Sequence, residues 1–124
     1  MNKHMAILAA LLMLAIMPVN AHHSGLMYDR EKDVTLEGTV KEWQWTNPHV
    51  YLQVMVSDSK GVSVEWSIEG GALVNMKRAG WERTAFKFGD KVSVLFHPLK
   101  SGAPGGTVID VTNKTTGKTY KYHG

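Results

Sequence analysis

The sequence predicts an all-β domain with one short helix, an OB-fold-like five-stranded barrel in the order β-β-β-α-β-β, behind a cleaved signal peptide. Three observations predict the barrel. Apolar residues alternate at period two through successive short segments divided by Gly-, Pro- and Asn-rich turns. The first segment changes phase part-way and carries a glycine, the marks of a strongly bent strand. The stretch with helical spacing falls between the third and fourth strand segments, where a barrel of this type carries its helix. The pattern also allows another small β-barrel or a sandwich.

Val34 to Trp45, VTLEGTVKEWQW, is the first strand. Val34, Leu36, Gly38 and Val40 share a face, whereas Trp43 and Trp45 are odd-numbered. A bulge near Lys41-Glu42 explains the slip. Asn47-Pro48 ends the run, because proline cannot donate to a ladder. His49 to Val56 and Val62 to Glu69 read as a hairpin around the turn-rich stretch 57–61. Setting Val56 opposite Val62 brings Val54 to Val64, Leu52 to Trp66 and Val50 to Ile68, so every apolar residue meets an apolar partner. The same register sets His49 opposite Glu69 on the other face.

Ala72 to Ala79 has helical spacing through Leu73 and Met76, and Gly80 suits the position just past the helix end. A connector with Trp81, Phe86 and Phe88 leads to a fourth strand, Lys91 to His97. Lys100 to Gly106 reads as a loop, Thr107 to Thr112 as the fifth strand, and Lys118 to Tyr122 as a short tail strand.

Ahead of the barrel, a basic start at Met1 to His4 precedes thirteen uncharged residues, Met5 to Met17. A membrane span needs about 20 apolar residues, so this run fits a secretory signal better. Val19 and Ala21 suit the −3 and −1 positions of a cleavage site; the alternative is an uncleaved anchor. The expected division is 1–21 signal peptide, 22–33 amino-terminal arm and 34–124 barrel, with the mature protein periplasmic or secreted and without a membrane span. Removal of residues 1–21 leaves 103 residues, one domain's worth, with 13 basic and 11 acidic side chains. So mild a charge argues against a nucleic-acid partner. The chain has no cysteine, which excludes disulfides and thiolate metal sites.

Several motifs stand in order along the chain: AHHS at Ala21 to Ser24, Tyr28-Asp29, LEGTV at Leu36 to Val40, WTNPH at Trp45 to His49, EWSIEGG at Glu65 to Gly71, AGW at Ala79 to Trp81, GDKVSV at Gly89 to Val94 and HPLKSG at His97 to Gly102. Together they resemble an uncharacterised family of small exported bacterial proteins, known as a domain of unknown function. The resemblance spans nearly the whole mature chain. It implies an exported all-β domain and brings no established activity, substrate or catalytic residue. Gly25-Leu26-Met27 departs from the family's pattern, which more usually has phenylalanine and alanine after HHS.

The histidines offer the sharpest chemistry. Cleavage after Ala21 makes His22 the amino terminus, where its amine and ring Nδ1 can chelate one ion together. The amine's reference pKa is near 8, so a metal displaces its proton at little cost. A second imidazole completes a three-nitrogen set suited to copper, with His49 the first candidate and His97 behind it. Glu69 serves in this reading as an oxygen ligand or as the acceptor that holds the His49 tautomer. His23 is an alternative anchor through the terminal amine and the intervening amide. The bland reading is that HHS merely suits the signal peptidase and that His49 is a structural histidine bonded to a turn carbonyl.

Without copper, the residues favour a binding module with no catalysis, its partner a small molecule or a periplasmic protein. Trp43, Trp45, Asn47, Tyr51 and Glu65 are the candidate ligand contacts, with core packing the competing use for both tryptophans. No serine–histidine–acid or cysteine–histidine signature is present. TGKT at Thr116 to Thr119 imitates a phosphate loop, but the glycine required five residues earlier is Thr112. Asn113-Lys114-Thr115 fits a glycosylation sequon, which by itself says nothing of a glycosylating host.

Overall fold

In a computed structural model of the chain, residues 24–124 are described. A 3-10 turn, Ser24–Met27, leads into β1 (Val34–Gln44), β2 (Tyr51–Ser57), β3 (Ser63–Glu69), α1 (Leu73–Arg78), β4 (Lys91–Pro98), β5 (Gly105–Asn113) and β6 (Lys118–Lys121). The sheet runs β3-β2-β1-β4-β5-β6, and a parallel pairing of β3 with β5 closes the first five strands into a barrel. The predicted order is therefore the observed one. The signal-peptide expectation falls outside the described residues.

Strand β1 serves both halves of the barrel. Val34 to Thr39 pair with β4, and Thr39 to Gln44 pair with β2. Gly38 sits where the partner changes, and a side chain there would press on the Met55 carbonyl. The expected bulge is present, as the register with β2 shifts between Val40 and Glu42. It returns the tryptophans to the inside: Trp45 is buried, and Trp43 packs half-buried against the core.

The hairpin register differs from the expectation by two residues. Ser57 faces Ser63, Leu52 faces Ile68, Val54 faces Trp66, and Tyr51 rather than His49 faces Glu69. Apolar pairing could not choose between the two registers, because a two-residue slip keeps every side chain on its face. The turn chooses. The Asp58 carboxylate accepts from the Lys60 and Val62 amides at 2.8 and 2.9 Å, Gly61 takes φ 78°, and the Ser57 and Ser63 hydroxyls bond at 2.9 Å.

Strand β5 begins two residues earlier than expected. Gly105 pairs with β3 and Gly106 with both β3 and β4, and a side chain on Gly106 would collide with the Phe96 ring. The closure of the barrel thus runs through a glycine pair that reads as loop. Helix α1 ends as expected, with Gly80 at φ 88°. Its first turn has no cap of its own; the Asn47 side-chain oxygen accepts from the Leu73 amide at 3.0 Å.

Valines and leucines from β1, β2 and β4 fill the barrel, with Val40, Val54, Val92, Val94 and Phe96 fully buried. A second layer lies under the connector. Trp43 stacks on Trp81 at 6.0 Å, and Phe86 and Tyr120 pack around Trp81. The indole N–H of Trp43 donates to the Glu82 carbonyl and that of Trp81 to the Lys121 carbonyl. Asn113 is also buried, donating to the Ala85 carbonyl and the Asp90 carboxylate, so the apparent sequon is a structural asparagine.

Candidate functional site

Glu69 closes strand β3 and is almost fully buried, unusual for a carboxylate. Hydrogen-bond donors surround it. The Tyr28 hydroxyl donates to one carboxylate oxygen, and His49 Nδ1 lies 3.0 Å from the other. The hydroxyl of Tyr51, its cross-strand partner, faces the same group. Burial first, then the hydrogen bond and the Glu69 charge, hold the Tyr28 phenol well above its ordinary pKa. Burial and Glu69 push Tyr51 the same way. Both tyrosines are therefore neutral donors at any physiological pH.

Tyr28 reaches Glu69 because the arm before β1 is tied across the barrel. Tyr28 bridges to Leu99, the Asp29 amide donates to the Pro98 carbonyl at 2.8 Å, and the Lys100 amide donates to the Met27 carbonyl at 2.8 Å. Tyr28 is buried as deeply as a core residue. Sequence reading set this tyrosine in a motif but gave it no role. Its only signal was that it is the one aromatic ring, histidines aside, of the arm 22–33.

Beside this cluster lies a cleft of about 350 Å³, lined by Tyr28, Arg30, His49, Glu69, His97 and His123 among others. Gly25 lines it as well, so the arm enters the site. His49 Nδ1 has the Gly70 carbonyl at 3.1 Å in addition to Glu69. His97 Nδ1 has the Lys32 carbonyl at 2.9 Å and the Asp33 carboxylate at 3.1 Å. All four neighbours are acceptors, so Nδ1 carries the proton in both rings. The Nε2 lone pair is then the free one in each neutral imidazole. The expected ligands His49, Glu69 and His97 do share one cleft. They do not converge on a point: among the described residues no three His, Asp or Glu side chains stand close enough to hold a metal ion. His22 and His23 lie outside the described residues. Arg30 and His123 also line the cleft, and neither carried a sequence expectation.

The other candidates gather elsewhere. Trp43, Trp45, Asn47 and Tyr51 line a second, more open depression of about 520 Å³, together with Glu42 and Arg83. His49 forms part of both depressions. Glu65 joins neither: it is exposed and pairs with Lys41 at 2.5 Å. No helix among the described residues is long and apolar enough to cross a membrane.

Fold and site together define the class: a small, closed OB-type barrel with a polar, histidine-lined cleft built around one buried carboxylate. The chain belongs to the family of unknown function DUF6152, which it matches over residues 10–109. No curated protein and no solved structure matches it.

Proposed function

We propose that this is an exported, periplasmic binding module that takes one copper(II) ion at the Glu69 cleft and performs no catalysis. One observation carries the reading. Two imidazoles lining the same cleft each have Nδ1 engaged by a carbonyl and a carboxylate. That arrangement fixes the tautomer, leaves Nε2 free and is the usual support for a metal-bound histidine. The donors still needed come from the chain end. Signal cleavage after Ala21 gives His22 a free amine beside its ring, and Gly25, three residues on, already lines the cleft. Three residues span at most about 10 Å, a reach comparable with the cleft itself. An amine, its own imidazole and His49 Nε2 make a nitrogen set suited to copper(II), with His97 as a further donor.

Mass spectrometry of the exported protein establishes its first residue and any bound metal. Copper(II) titration, followed by electron paramagnetic resonance, then compares the form beginning at His22 with one carrying a single extra residue ahead of it. The blocked form is expected to lose tight binding, and His49→Ala to weaken it as well. Equal binding by the blocked and free forms would leave a module for a non-metal ligand or protein partner.

A further inference from the structure

We propose that the second depression, between the end of β1 and Arg83, is a separate site for a short, uncharged saccharide. It is carried by the balance of its lining. Glu42 and Arg83 put one negative and one positive group on the rim, both exposed. No ion pair ties Arg83 to an acid among the described residues. A strongly charged ligand would be attracted by one of these groups and repelled by the other. A wholly apolar one would strip water from both without replacing its hydrogen bonds.

A sugar ring meets both constraints. Its hydroxyls accept from the planar, five-donor guanidinium of Arg83 and donate to the Glu42 carboxylate. Its C–H face covers the apolar parts of the lining, the Trp43 and Tyr51 rings and Pro48. The volume, about 520 Å³, lies within the range of small-ligand sites. The position agrees: the loop joining β1 to β2, which carries Asn47 and Pro48, belongs to the face by which OB-type barrels hold extended polymers. Trp43 is held for this use, since its indole N–H is bonded to Glu82 and its ring is backed by Trp81. A preset aromatic wall loses little freedom on binding. Arg83 and Glu42 lie outside the Glu69 cleft, whereas His49 borders both depressions, so the site is tested without copper.

The test is a titration of metal-stripped protein with cellobiose, chitobiose and maltose, alongside glucuronate and glucosamine, read by tryptophan fluorescence and amide NMR shifts. At least one neutral disaccharide is expected to saturate, with shifts at Trp43 and Tyr51. Arg83→Ala, on an exposed side chain, should weaken it at least about tenfold through loss of a charged hydrogen-bond partner. Absence of saturation with all three disaccharides overturns the proposal. So does tighter binding of either charged sugar, or saturation that Arg83→Ala leaves unchanged.

Discussion

Around Trp81 the protein is built of rings against rings: Trp43, Phe86 and Tyr120 pack on it, and its one polar atom is bonded to Lys121. Around Glu69 it is built of donors around a charge: Tyr28, His49 and Tyr51, beside an open cleft. Both regions are buried and both contain aromatic residues. In the first, tyrosine and tryptophan supply area. In the second, tyrosine supplies hydroxyls to a buried carboxylate, a group that costs several kcal/mol to bury without donors. Burial alone therefore does not separate scaffold from site here. What separates them is whether the buried polar atoms serve the aromatic residues or the aromatic residues serve a buried polar atom.

The largest effect is expected from breaking the first region. Trp81→Ala removes a nearly inaccessible indole and leaves a cavity among three other rings, which should cost about 3–5 kcal/mol in urea unfolding. Copper binding by the fraction still folded should be unchanged. A coupled loss of both would show that the two regions are one unit.

Tyr28→Phe attacks the second region with less loss of area. It deletes one donor to a buried carboxylate, a change worth about 1.5–3 kcal/mol near neutral pH. The variant should also change the response to alkali. The folded-state pKa of Tyr28 is raised, so its contribution is complete below the ordinary tyrosine value near 10. Above that value the unfolded chain ionises first, and the contribution is lost as pH rises toward the folded-state value. Wild type should therefore lose stability between pH 9 and 11 more steeply than Tyr28→Phe, by at most about 1.4 kcal/mol per pH unit. Parallel slopes would show that Tyr28 does not carry the coupling, leaving Tyr51 as its source.

The two regions were unequally legible in the sequence. The barrel was readable because its information is local and periodic: alternation along each strand, the phase slip at Lys41, the Gly80 stop. The hairpin register was misread by two because both registers satisfy that periodicity, and only the Asp58 turn distinguishes them. The pairing of His49 with Glu69 came through the wrong register and is nonetheless a contact, since diagonal neighbours on one face also meet. Tyr28 was illegible as a partner. Its contact with Glu69 spans 41 residues and depends on how the arm crosses β4, which no spacing encodes. The gathering of Arg30 and His123 at the same cleft is likewise a product of closure, not of pattern.

The smallest effect sharpens the comparison from within a single strand. Glu65 and Glu69 lie on the same face of β3, four residues apart, so the strand alone presents them alike. Their surroundings differ. Glu65 is open to solvent and paired with Lys41 at 2.5 Å, a contact that water and salt screen. Exposed pairs of this kind contribute roughly 0–1 kcal/mol, because holding two long side chains in place offsets most of the attraction. Glu65→Gln should thus shift the urea midpoint little, the shift should shrink further in high salt, and copper affinity should stay constant. A loss comparable with that of Tyr28→Phe would mean that the charge on Glu65 reaches the cleft. The line drawn between a solvated face and a buried site would then have to move two repeats of the pleat along β3.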